Sequence, residues 1–285
     1  MWGKINKFVN SQVILSSFLL GAIFITALVT FATLVIGIPQ EGLPPGAGEL
    51  TVFTLGQIVL SAMVIYLMRK LNVFSMSDFK FQNMGKGVLL GWVAIVGAII
   101  VFVMSLSQMP SDSFIAPSIP HLFIVILHPL FGTGLFEELL FRGLMLKLLL
   151  VAFGNSNKGV VKAALISSLI FGAIHIINAF FGAGLLPTIS QVIYAMANGI
   201  FFAALYLRTR NLLVPILLHA LINFSSQIFG TIVSHDGFLQ LIQNQTEPNI
   251  LEFIISTLFM TIPFLIAGLV LLRKVKPDEL TDEIS

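Results

Sequence analysis

The chain has 285 residues, of which 57% are hydrophobic and only 10% charged, with a mean hydropathy of +1.00. A soluble domain runs at ~45–50% apolar and ~25% charged, so a soluble globular enzyme is excluded, and 26 Phe residues with so few charges exclude a disordered chain as well. The net charge of +2 is small, nucleic acid is not an expected partner, and the absence of Cys removes disulfides, thiolate metal sites and a cysteine nucleophile.

The apolar residues come in long unbroken runs. A membrane barrel would need short alternating strands instead, so the expected fold class is all-α, a polytopic membrane helical bundle. A spanning helix needs ~20 mostly apolar residues. Eight stretches qualify in chain order: 13–37, 51–68, 87–106, 121–147, 162–181, 187–207, 211–231 and 250–272. The first follows Lys4 and Lys7, as a signal peptide would. Its apolar run exceeds the ~7–15 residues of a signal core and no cleavage site follows, so it reads as a retained span. Between the spans, 38–48 is a Pro/Gly linker, 232–249 is the longest loop on its face, and 277–285 is a short acidic tail.

The basic residues support this count. With both termini cytoplasmic, every Lys and Arg except Arg142 falls on the cytoplasmic side, in 1–12, 69–86, 147–162, 208–210 and 273–285. The outer loops hold only acidic charges, Glu41, Glu49, Asp112, Asp236 and Glu247. That is the positive-inside distribution. The expected organisation is a single integral membrane domain over 1–285 in the plasma membrane, with no internal repeat.

Ionisable groups inside a span cost ~2.5–3.5 kcal/mol each on insertion scales and point to function. Three clusters break the apolar rule. In the fourth stretch, Glu138 and Arg142 stand four apart and pair on one helix face. Glu137 is turned ~100° away and is free to point into the bundle. The fifth stretch carries Phe171 and His175, and the seventh carries His219 and Asn223, each again four apart. At ~1.5 Å per residue these groups lie roughly 12–20 Å from the cytoplasmic ends of their helices, in one slab. Helix-to-helix packing explains each cluster taken singly, but not their common depth. Gly132 and Gly134 would loosen the fourth helix and admit water. His121 and His128 read as interfacial or packing residues and His235 as solvated. Gln191, Tyr194 and Asn198 read first as packing, with lining of the same cavity as the second reading.

A carboxylate, two imidazoles and an amide suit water activation. Glu137 would be the general base and His175 its partner. His219 and Asn223 would donate to the oxyanion that forms on an attacked carbonyl. Glu138 and Arg142 would fix the surrounding helix and its electrostatics. The alternative use of Glu137, His175 and His219 is as zinc ligands around an open water position, although the His-Glu-x-x-His helix signature is missing.

The ordered set Glu137-Glu138-x-x-x-Arg142, Phe171-x-x-x-His175 and His219-x-x-x-Asn223 resembles the three-motif signature of the CAAX prenyl endopeptidase and bacteriocin-processing (CPBP or Abi) family, in its prokaryotic form. The resemblance runs over about 121–229 and includes the basic turn from Arg208 to Pro215. The spans in 13–106 and 250–272 are accessory to it. It implies an intramembrane endopeptidase whose catalytic residues are Glu137, His175, His219 and Asn223, with Glu138, Arg142 and Phe171 behind them. It also implies a peptide or protein substrate in the bilayer, either prenylated or a peptide signal. The family has been described both as metal-dependent and as glutamate-dependent. The metal-free form is the expectation here, with zinc as the open alternative. The competing reading is a non-catalytic immunity or regulatory protein of the same fold, bound to a membrane sensor or other partner. A proton-coupled transporter would place Glu and His similarly, but paired broken helices are not evident.

Overall fold

The computed structural model describes residues 12–35, 47–107, 109, 119–154, 156–181, 184–229 and 249–276. The tail 277–285, the 232–248 stretch with His235, most of the 38–48 linker and the side chain of His121 lie outside the described residues. Among the described residues there is no strand. The protein is an all-helical bundle.

Helix α1 is Val13–Val35 and α2 is Ala47–Lys70. A short 3-10 turn, Met76–Phe79, leads into α3, Met84–Leu90, and α4, Trp92–Ser107. The α3–α4 pair bends by 60°. The helical stretch α5 is continuous but unevenly wound. It runs through Ile119–Leu127, a wide π-helical stretch His128–Gly134, one α turn Leu135–Glu138, a second wide stretch Leu139–Leu146, and Lys147–Phe153. Helix α6, Asn157–Ile174, tightens into a 3-10 turn at His175–Phe181. Helices α7, Leu185–Thr209, α8, Leu213–Gln227, and α9, Ile250–Leu272, complete the described chain.

Among the described residues, seven of the eight expected stretches each fall on one helical stretch, whereas 87–106 straddles the bent α3–α4 pair. Among the described residues, five helices are long and apolar enough to cross a membrane: Val13–Thr30, Leu50–Lys70, Asn157–Phe180, Leu185–Thr209 and Ile250–Leu272. The bent α3–α4 pair makes a sixth if it counts as one span. Helix α8 is shorter, and α5 changes its winding at the two wide stretches.

The expected end of the fourth stretch at Lys147 needs correction. The helix continues to Phe153 and stops at Gly154, whose φ of 75° is a conformation that glycine adopts freely. Lys147 is therefore not a loop charge. It is 4% exposed, and its Nζ donates to Asp78 Oδ2 at 2.6 Å and to the Val73 carbonyl at 3.0 Å. Tyr206 Oη donates to the other Asp78 oxygen at 2.9 Å, and the Leu212 amide donates to the Asp78 carbonyl at 2.7 Å. Asp78 thus ties the α2–α3 connection to α5 and α7 through its carboxylate and to the start of α8 through its main-chain carbonyl.

Helix α5 is the core. Every residue from Leu139 to Leu150 is buried, as expected of a helix that is apolar all round and enclosed by others. Lipid tails are as apolar as leucine, so helices in a bilayer associate through close packing and polar bonds. Helices α6 and α7 meet this need at Gly172. A Cβ there would lie 2.2 Å from Met196 Cγ and 2.8 Å from the Val192 carbonyl oxygen.

Candidate active site

The site begins at the single α turn between the two wide stretches of α5, which carries Glu137 and Glu138. Glu138 is 0% exposed and accepts from Arg142 Nη1 at 2.8 Å. Arg142 is itself 1% exposed. Its Nη2 reaches the Gly199 carbonyl on α7 at 3.3 Å. The guanidinium carbon lies 4.6 Å from the Phe171 ring centre and 5.6 Å from that of Phe202. Two aromatic faces therefore take the place of water around the buried cation.

The same Glu138 oxygen accepts from His219 Nδ1 on α8 at 2.8 Å. A carboxylate with an arginine already on it is an acceptor, so Nδ1 carries the proton and Nε2 is the nitrogen left for chemistry. Nε2 lies 3.8 Å from Glu137 Oε2. The His219 ring stacks on Phe202 with centres 5.3 Å apart and is edge-on to Phe171 at 6.1 Å. Glu137 is 20% exposed at its side chain, in contrast to Glu138. The neighbouring carboxylates thus diverge, one locked inside the bundle and one open to a cavity.

His175 stands where α6 gives way to its 3-10 turn. The last carbonyls of a helix lack partners within it, and His175 Nδ1 donates to one of them, the Phe171 carbonyl, at 2.8 Å. A carbonyl only accepts, so the proton is again on Nδ1 and Nε2 is left open. Phe171 holds the ring edge-on with centres 5.1 Å apart. Asn223, one turn beyond His219, donates through Nδ2 to Thr133 Oγ1 at 2.9 Å. Thr133 in turn donates to the Pro129 carbonyl at 3.4 Å.

Glu137, His175, His219 and Asn223 line one cavity of about 520 Å³. Phe171 lines it too, whereas Glu138 and Arg142 stand behind it. Gln191, Tyr194 and Asn198, read first as packing, are also on its wall. Their i, i+3, i+7 spacing puts them on one face of α7. His128 is buried and bonded to Thr54 Oγ1 at 2.9 Å, a packing role.

The two glycines before Glu137 do more than loosen the helix, which is indeed wound wide there. A Cβ on Gly132 would lie 2.3 Å from Gln57 Oε1, and one on Gly134 would lie 3.0 Å from the Ile216 carbonyl oxygen. They let α2 and α8 close on α5 one turn from the site. Sequence reasoning missed Thr133, Gln57, Asn178 and Gln227, all of which line the cavity. Single amides and hydroxyls at those positions give no signal above ordinary helix composition.

Among the described residues no group of three or more His, Asp or Glu side chains is arranged to hold a metal ion. The zinc set Glu137, His175 and His219 is not assembled as three converging ligands. Both histidines bond a protein acceptor through Nδ1 and leave Nε2 open, and His219 Nε2 lies 3.8 Å from Glu137 Oε2.

An all-helical multi-pass protein with a carboxylate, two oriented imidazoles and an amide on one internal cavity has the components of an intramembrane hydrolase. Residues 119–225 match the family of type II CAAX prenyl endopeptidase Rce1-like proteins. That segment carries all three motifs, so the match bears out the resemblance to CAAX prenyl endopeptidases, without reaching its prokaryotic or bacteriocin-processing form, and supports, at the level of the family, a CAAX-protease-like intramembrane endopeptidase acting on a peptide substrate. Neither a curated protein nor a solved structure matches the chain.

Proposed function

We propose that this protein is an intramembrane endopeptidase of the plasma membrane that hydrolyses a peptide bond with a water activated by Glu137. The observation that carries this reading is the divergence of the paired carboxylates. Glu138 is consumed by Arg142 and His219, while Glu137 faces the cavity shared by His175, His219 and Asn223.

In the proposed reaction a water sits between Glu137 and His175 Nε2. Glu137 takes one of its protons as the oxygen attacks the substrate carbonyl carbon. His175 Nε2 accepts a hydrogen bond from the same water and orients it. The carbonyl oxygen becomes an oxyanion, stabilised by the Asn223 amide and by His219. His219 Nε2 donates to it only when the ring holds both protons, and Glu138 and Glu137 are the carboxylate partners of that form. The C–N bond then breaks, the proton held by Glu137 passes to the leaving amine, and a carboxylic acid remains. No step is routed through a metal. The substrate is a membrane-associated peptide, with a prenylated chain end and a peptide signal as the two chemical forms to compare.

The test is cleavage of a quenched peptide library, farnesylated members included, by detergent-solubilised protein. Glu137→Gln should lower turnover by about 10²–10⁴-fold, the usual contribution of a general base, and a zinc chelator should leave wild-type turnover unchanged. Full cleavage by Glu137→Gln would remove Glu137 from the role of base. Loss of cleavage with chelator would replace the metal-free mechanism.

A further inference from the structure

Three polar side chains of the cavity are each set by one protein partner. His175 is set by the Phe171 carbonyl and His219 by Glu138. For Asn223 the partner is Thr133, a residue outside the three motifs. Thr133 lies four residues before Glu137 on α5, and both line the cavity.

A hydroxyl has one proton to donate and two lone pairs with which to accept. Thr133 donates its proton to the Pro129 carbonyl at 3.4 Å, the bond a helical threonine makes back to the preceding turn. Towards Asn223 it is then an acceptor, so the N–H₂ end of the carboxamide must face it, and Nδ2 lies 2.9 Å from Thr133 Oγ1. Nδ2 carries two N–H groups. Thr133 takes one and the other is left to donate to a substrate. Without a partner the carboxamide can turn about its last torsion and put its oxygen where the N–H₂ was. The two ends act oppositely at an oxyanion: an N–H attracts the developing charge and a carbonyl oxygen repels it.

The backbone is arranged for this short reach. A Cβ on Gly134, next to Thr133, would lie 3.0 Å from the Ile216 carbonyl oxygen and 3.3 Å from Ala220 Cβ. Helix α8 therefore lies against α5 with no side chain between them, one turn before Asn223. A simple tie between helices would account for the Thr133–Asn223 bond. It would not require the threonine proton to be directed to Pro129, away from the amide.

We propose that Thr133 is a positioning residue of the hydrolysis, holding the Asn223 carboxamide with its N–H₂ end toward the substrate oxygen. This rests on the proteolytic reading above, in which Asn223 stabilises the oxyanion. Helix α5 then sets both the base, Glu137, and the orientation of the oxyanion donor.

The test uses detergent-solubilised full-length protein and the peptide library described above. Thr133→Val keeps the shape and removes the acceptor, whereas Thr133→Ser keeps the hydroxyl. Thr133→Val should lower kcat about 2- to 10-fold, the worth of one neutral hydrogen bond, with KM nearly unchanged. Thr133→Ser should restore kcat. In an Asn223→Ala background Thr133→Val should lower kcat no further, whereas a merely structural role would cost the same in both backgrounds. A second readout needs no turnover: hydrogen exchange of the Asn223 side-chain N–H groups by NMR, with isotope-labelled asparagine and the signals assigned by their loss in Asn223→Ala. One N–H should exchange slowly in wild type and in Thr133→Ser, and neither in Thr133→Val. Thr133→Ala takes the place of Thr133→Val if the latter fails to fold. Wild-type kcat in the folded variant, no rescue by serine, equal losses in both backgrounds or unchanged exchange overturns the proposal. Absence of any wild-type turnover, with the exchange difference intact, sinks the proteolytic reading instead and leaves Thr133 as the group that orients the amide.

Discussion

Replacing Arg142 by Met tests the buried centre of the site directly. The guanidinium is 1% exposed and the Glu138 carboxylate 0%, so no solvent screening discounts their interaction. In Arg142→Met the side chain still fills space against Phe171 and Phe202, but Glu138 keeps only His219 Nδ1 as a partner. Removing one member of a buried ion pair costs about 3–5 kcal/mol, because the other charge is left unpaired. Removing both usually costs far less, because the desolvation of two ions is also avoided. Arg142→Met should therefore lose about 3–5 kcal/mol in equilibrium unfolding in detergent, and Arg142→Met combined with Glu138→Leu should recover much of it. The double variant should nevertheless stay inactive, since His219 loses the acceptor that sets its ring. A single variant within about 1 kcal/mol of wild type would refute the unpaired-charge argument. So would a double variant no more stable than the single one.

Asp78→Ala should destabilise by a similar ~3–5 kcal/mol, since it removes the carboxylate that balances the buried Lys147 charge; adding Lys147→Met should restore part of that loss in the same unfolding measurement. Gly134→Ala would set a Cβ 2.6 Å from the Pro129 carbonyl oxygen and 3.0 Å from that of Ile216, and should cost about 1–3 kcal/mol while lowering turnover, because α8 carries His219 and Asn223. Asn223→Ala should lower kcat by about 10²–10³-fold with a smaller change in KM, as loss of an oxyanion donor does; an equal rise in KM at constant kcat would assign Asn223 to substrate binding instead.

Much of this was legible in the sequence, for definite physical reasons. Hydropathy located the helical stretches because each is itself a long apolar run. The Glu138–Arg142 pair followed from four-residue spacing, which holds on any helix face. Other features depend on contacts between distant segments, and local pattern does not encode them. Lys147 read as a loop charge because a basic residue after an apolar run usually is one; Asp78 and the Val73 carbonyl, brought in from far along the chain, make its burial tolerable. Asn223 and His219 looked like one donor pair on one face. Their partners separate them, with Thr133 taking the amide and Glu138 the imidazole. The second reading of Gln191, Tyr194 and Asn198, cavity rather than packing, needed the neighbours of α7 to be known.

Helix α5 explains why stability and chemistry meet here and where they separate. Its polar residues tie it to three neighbours: Thr133 and Glu138 bond α8, Arg142 bonds α7, and Lys147 bonds the α2–α3 connection. Apolar surface alone does not orient helices within lipid, so these bonds and the glycine contacts set how the neighbours lie. The wide turns flanking Leu135–Glu138 are of a kind often found at functional sites. They leave one regular turn carrying both carboxylates, and burial divides their roles. Glu138 belongs to the bonded framework, so changing it should damage folding and catalysis together. Glu137 faces the cavity and makes no bond that holds two helices closely, its nearest ionic partner being 3.8 Å away. Its loss should therefore remove turnover while leaving unfolding unchanged. If Glu137→Gln destabilised the bundle as much as Arg142→Met, this division between framework and reacting carboxylate would be wrong.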